Sequence, residues 1–298
     1  MKTARNILMA FILNFVFSIF EIVGGIFTGS VAILSDAVHD MGDSISIGFS
    51  YFLEKKSKKQ PDEDYTYGYA RYSVMGSVIT TVVLLFGSVM VIYNAIGRIF
   101  NPVEINYDGM LIFAIVGAIV NFVAAYFTRE GDSLNQRAVN LHMLEDVLGW
   151  IVVLVGAIIM KFTDFAMIDP LLSIGVAVFI LVNAFHTLKS AVDIFLVKTP
   201  KGIEIKEIKE HIIELDGVLD VHHIHIWSMD GQSNYATMHV VTNADTGLIK
   251  KKIREELKEH GICHVTVELE AEGEHCGEEH CHVEHIHSSG HHHHHHHH

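Results

Sequence analysis

The chain has 298 residues, half of them hydrophobic, and a formal charge of −14. Apolar residues crowd the part before about Phe195 and most charged ones follow it, a division that excludes a single uniformly soluble globule. The acidic balance argues against nucleic-acid binding and suits the handling of cations.

An eight-histidine run, His291–His298, has the look of a purification tag and is set aside, leaving fifteen other histidines. No cleavable signal peptide is expected, because the first apolar stretch, Ile7 to Phe27, is as long as a membrane span and leads straight into more membrane sequence. Six spans are expected near 7–27, 31–53, 74–99, 109–128, 138–160 and 168–190. The second is the weakest by hydropathy, since Asp36, His39, Asp40 and Asp43 fall inside it. At 100° per residue those four occupy an arc of only about 100°, which leaves the opposite face free for lipid or other helices.

Within these spans two pairs stand out, His39 with Asp43 and His142 with Asp146. Each is spaced i, i+4, so on a helix both side chains project from one face and can approach the same ion. Two imidazoles and two carboxylates make a tetrahedral set that suits zinc, and polar groups of this kind are costly in a bilayer unless they serve a function. An all-oxygen set would suit manganese or magnesium better. The competing reading is that these are buried polar groups knitting helices together. Asp36, Asp40 and Glu145 lie close in angle to a candidate ligand and could tune it, while Asn14 and Glu21 share the inner face of the first helix.

Orientation follows from the short connections. Lys2, Arg5, Lys55, Lys56, Lys58, Lys59, Arg71, Arg129 and Arg137 mark one side against Arg98 and Lys161 on the other, so both termini are expected in the cytoplasm of a multi-pass plasma (inner) membrane protein. There Cys263, Cys276 and Cys281 would sit in a reducing compartment, where metal binding is favoured over disulfides.

After Pro200 the pattern becomes that of a small soluble domain: a helix over Ile203–Leu215, strands over Val218–Ser228 and Tyr235–Thr242, a helix over Thr246–His260 and a strand over His264–Glu270. The expected fold is therefore an α-helical membrane bundle of six transmembrane helices followed by a cytosolic α+β (αββαβ) domain, with boundaries at 1–199 and 200–271. A core this small would gain from dimerisation. A His/Cys-rich tail over 272–290 precedes the tag; its Cys276 and Cys281, interleaved with histidines, could capture zinc or simply belong to a solvated tail.

The run from Gly29 to Asp43, the His142/Asp146 pair, the loop Tyr65 to Arg71 and the strand Val221 to Trp227 together resemble the cation diffusion facilitator family, in its zinc-exporting, CzcD-like bacterial branch. The likeness spans about Ala4 to Glu270. It implies a homodimeric, proton-coupled exporter of zinc, with cadmium, cobalt or iron as further cargo, and a metallochaperone-like cytosolic domain. It also implies that His39, Asp43, His142 and Asp146 form the transport site, and that His222, His239 and Glu268, with Glu270 as a further carboxylate, bind regulatory zinc. His223, His225 and His264 are secondary candidates there, because alternation along a strand sends some to the other face. In the loop, Tyr67 and Tyr69 stand where relatives often have histidines, leaving Asp62, Glu63 and Asp64 nearby. A metalloprotease is excluded by the absence of any His-Glu-x-x-His. A membrane-anchored zinc sensor is the remaining alternative, and it leaves the two His/Asp pairs unexplained.

Overall fold

The computed structural model describes residues 2–28, 31–101, 107–130, 133–163 and 168–274. Six long helices come first: α1 (Lys2–Thr28), α2 (Val31–Ser57), α3 (Arg71–Phe100), α4 (Tyr107–Thr128), α5 (Leu134–Thr163) and α6 (Ile168–Phe195). Each covers its expected span and most overrun it by several residues, since polar ends continue the helix beyond the apolar stretch. The tail with Cys276 and Cys281, and the terminal histidines, lie outside the described residues.

Polarity in these helices is turned inside out relative to a soluble bundle. On α1, Asn14, Ser18 and Glu21 follow i, i+4, i+7 spacing and are buried, while Ile12, Val16, Ile19, Phe20 and Val23 face outward. On α3, Ser77, Thr80, Thr81 and Ser88 are buried and Val82, Phe86 and Val89 exposed. Apolar side chains directed outward, with small polar residues between helices, are the pattern expected of a bundle surrounded by lipid. Among the described residues, Thr3–Gly24, Arg71–Phe100 and Ala177–Phe195 are long and apolar enough by composition to cross a membrane. Composition does not select α2, because Asp36, Asp40, Asp43 and Glu54 interrupt it.

A polar knot ties α2, α3 and α5 together at the lysine-bearing end of α2. Ser50 Oγ donates to Asn135 Oδ1 (2.8 Å) and hydrogen-bonds Thr80 Oγ1 (2.6 Å), and Asn135 Nδ2 donates back to the Ser50 carbonyl (2.9 Å). Glu54, buried beside them, accepts from Ser73 Oγ (2.6 Å) and pairs with Lys58 (3.1 Å). The close approach requires glycine at position 76, where a Cβ would fall 2.6 Å from Asn135 Oδ1.

By contact, the chain divides into one compact unit running to Pro200 and also taking in Trp227–Asn234, and a second formed by Lys201–Ile226 and the segment from Tyr235. The C-terminal part contains α7 (Ile205–Ile213), β1 (Val218–Ser228), β2 (Asn234–Thr242), α8 (Thr246–Glu259) and β3 (Ile262–Glu270), with sheet order β1-β2-β3. Its αββαβ order follows the sequence pattern. Ile208 and Ile212 of α7 and Ile249, Ile253 and Leu257 of α8 form one core with Val221, Ile226, Ala236, Met238 and Val240, so both helices cover the same face of the sheet. Asp245 caps α8 by accepting from the Leu248 amide (2.9 Å).

In the middle of β1, His223 has φ 52°, and this left-handed residue breaks the strand's alternation. Val221, Ile224 and Ile226 can then all contact the core. The two consecutive histidines between Val221 and Ile224 are left on the open face.

Candidate metal centres

One centre lies where α2 approaches α5. Asp43, His142 and Asp146 each present a ligand atom, all within 4.8 Å of one another. His142 Nε2 stands 3.6 Å from Asp43 Oδ2, beyond hydrogen-bond reach, and both ring nitrogens of this buried imidazole lack a hydrogen-bond partner among the described residues. The helical period produces the grouping, because His142 and Asp146 are one turn apart on α5. His39 lies on α2 one turn before Asp43, and its side chain, like that of Asp36, lies outside the described residues. Asn14 holds α1 against α2 beside the site, donating to Ser44 Oγ (3.1 Å) and to the Asp40 carbonyl (3.4 Å). Glu145 is held by Ser88 Oγ of α3 (3.0 Å).

A second centre occupies the open face of the sheet. His222, His239 and Glu270 bring their ligand atoms within 4.8 Å of one another. His222 Nε2 is 3.3 Å from Glu270 Oε2, and His239 Nδ1 is 2.6 Å from Glu270 Oε1. Glu268, expected beside the two histidines, lies 3.4 Å from the other His239 nitrogen and is largely exposed, so Glu270 takes the central place. The break at His223 brings that ring within 4.8 Å of the His239 ring, on the same face. His225 follows, 5.1 Å from His223. His264 lies instead beside Tyr235, with ring centroids 5.5 Å apart and the planes tilted by 46°.

The loop after α2 is occupied by its own contacts. Asp62 Oδ2 accepts from Lys59 Nζ (2.6 Å) and from the Tyr69 hydroxyl (2.7 Å). The hydrogen bond from Lys59, then that from Tyr69, hold the Asp62 carboxyl down to about 2, and the Lys59 ammonium is raised in turn by its bond to Asp62. Tyr69 therefore completes a polar clasp.

A third group, missed by the sequence reading, lies on the helical side of the C-terminal domain: Glu207 and His211 of α7 with His260 at the end of α8. The available signal was a repeated spacing, Glu207 to His211 and Glu256 to His260, each i, i+4.

Comparison with known proteins accords with both halves of this architecture. Residues 7–196 match the model of the cation efflux transmembrane domain, and residues 200–272 match that of the cation efflux protein cytoplasmic domain. A cadmium, cobalt and zinc/H(+)-K(+) antiporter of Bacillus velezensis is 34% identical over 275 residues, 89% of this chain and 88% of the relative. The zinc transporter ZitB of Yersinia pseudotuberculosis is 31% identical, covering 95% of this chain and 92% of the relative. The metal cation efflux system protein CzcD of Cupriavidus metallidurans is 29% identical over 89% of the chain and 86% of its own length. With both domain models matched in order across almost all of its length, the chain belongs to the cation efflux family.

Proposed function

We propose that the chain exports zinc from the cytosol in exchange for protons by alternating access, with cadmium, cobalt or iron as further cargo. Membership of the cation efflux family makes it a membrane transporter rather than an enzyme. The observation that carries the metal assignment is the convergence of Asp43 and Asp146 on the buried His142 imidazole, whose nitrogens lack hydrogen-bond partners among the described residues. Leaving a buried acceptor unsatisfied costs about 1–3 kcal/mol, and a cation bound at the imidazole lone pair would offset that cost.

His39, one helical turn from Asp43, completes a His₂Asp₂ set in this proposal. The imidazoles favour zinc over harder cations, in keeping with the metals in the relatives' names. Protons and metal compete for the same lone pairs, so protonation from the far side promotes release. Residues 1–199 form the membrane domain and 200–271 a cytosolic domain. There His222, His239 and Glu270, flanked by Glu268, hold regulatory zinc, and the 272–290 tail captures metal through Cys276 and Cys281. The transporter works as a homodimer in the plasma (inner) membrane, with both termini in the cytoplasm.

Zinc flux into proteoliposomes tests the reading. An interior-acid pH gradient should drive zinc accumulation, and collapsing the gradient should end it. Zinc binding without any flux would support the membrane-anchored sensor instead.

A further inference from the structure

The helical layer of the C-terminal domain holds its own set of ligand-type side chains, on the side of the sheet opposite His222 and His239. His211 Nδ1 and His260 Nε2 face each other at 2.7 Å. Glu256 Oε1 lies 3.4 Å from each of these nitrogens. Glu207, one turn before His211, brings a carboxylate oxygen within 4.8 Å of both.

These distances can be set against the shape of a zinc site. Two bonds of about 2.05 Å at the tetrahedral angle separate their ligand atoms by about 3.3 Å. The two carboxylate–imidazole separations of 3.4 Å already match that edge. The imidazole pair needs to part by about 0.6 Å, within reach of small ring rotations. As they stand, the facing nitrogens share one proton, one donating and the other accepting. A metal in place of that proton would engage both nitrogen lone pairs and the Glu256 oxygen together.

Position on the helices adds a second argument. His211 is in the last turn of α7 and His260 is the C-cap of α8. Each imidazole thus lies at the negative pole of its own helix dipole, which favours a cation nearby. The sequence spacing also repeats that of the His39/Asp43 and His142/Asp146 pairs, a histidine and a carboxylate i, i+4 on each of two helices.

We propose that His211, His260, Glu256 and Glu207 form a separate zinc site that fastens the C-terminal turn of α7 to that of α8. It ties the first helix of the C-terminal domain to the helix lying beside it on the sheet. The inference does not depend on the transport proposal, because its test reads these histidines directly and would give the same answer in a protein without flux.

The test is histidine labelling by diethyl pyrocarbonate in full-length detergent-solubilised protein, with and without zinc chloride, read peptide by peptide so that tail and tag do not interfere. At zinc about tenfold above the dissociation constant, labelling of both His211 and His260 should slow about 10-fold. In a His260→Ala variant, zinc should no longer protect His211, while zinc protection of His222 and His239 persists. Equal labelling of His211 and His260 with and without zinc in the unaltered protein would overturn the site. Continued zinc protection of His211 in the His260→Ala variant would overturn the shared coordination.

Discussion

Between α2 and α5, Asp43 and His142 are each 4% exposed, whereas on the sheet the His222 and His239 side chains keep 18% and 21% of their surface and that of Glu268 keeps 69%. The same residue types thus occur in two kinds of surroundings. Buried donors have lost water as an alternative partner, so a metal leaving them must be replaced by protons or by movement of the helices. On the sheet Glu270 is buried, but the two imidazoles and Glu268 remain partly hydrated and can equilibrate with the metal of the surrounding solution. The difference suits one group to coupled release and the other to sensing.

The largest expected effect comes from the group between α2 and α5. Asp43→Ala or Asp146→Ala should reduce zinc flux more than about 100-fold, since removal of a direct ligand exceeds the loss seen when a ligand's supporting residue is removed. Size-exclusion chromatography should show the folded dimer unchanged. Near-normal flux in either variant would end the assignment of a transport site.

A smaller change should follow from altering ligand type without altering ligand number. His39→Asp makes the set richer in oxygen and should shift the zinc-to-manganese flux ratio by about 10-fold toward manganese, a change of about 1.4 kcal/mol. Competition between the two metals in proteoliposomes measures it. An unchanged ratio would place selectivity elsewhere.

The open group should act more weakly on transport. Combining His222→Ala with His239→Ala should abolish zinc binding at the sheet while flux stays within about 10-fold of the unaltered protein. A regulatory ligand shifts a conformational equilibrium only by its differential affinity for the two states. Complete loss of flux in a folded double variant would show that the two groups are not separable.

The smallest effect supplies a baseline for pH titration. The Asp62 carboxyl is held below its ordinary 3.8, so its contribution to stability is present above that value and is lost as the pH falls toward about 2. The Lys59 ammonium is raised above its ordinary 10.5, so its part is present below that value and is lost only above it. Neither changes between about pH 5 and 8, where imidazoles titrate. Asp62→Asn should therefore leave the shape of the flux–pH profile unaltered. A profile that changes shape would mean that the loop takes part in the proton step.

Much of the architecture was legible in the sequence because long apolar segments and i, i+4 pairs carry strong periodic signals. The α2 span was recognised in spite of its acidic residues, since Asp36, Asp40 and Asp43 fall on one face. The roles of Glu268 and Glu270 were harder to separate. They alternate onto the same face of β3, and only tertiary packing places Glu270 between His222 and His239. The left-handed residue at His223 was not legible, because histidine's tolerance of that region belongs equally to His222 and His225 in the same strand. His211 and His260 are 49 residues apart and meet only when α7 and α8 pack on the sheet.

The knot of Ser50, Glu54, Thr80 and Asn135 has a mechanical consequence. Glu54 lies eleven residues beyond Asp43 on α2, a lever arm of about 16 Å at 1.5 Å per residue. If the knot stays closed, α2 swings about it, and a tilt of about 10° displaces Asp43 by about 3 Å, enough to dismantle a tetrahedral set. A disulfide clamping α2 to α5 at the level of Ser50 should therefore be tolerated, and the same clamp at the level of Asp43 should stop flux. The reverse result would place the fulcrum at the ligands and the moving end at the knot.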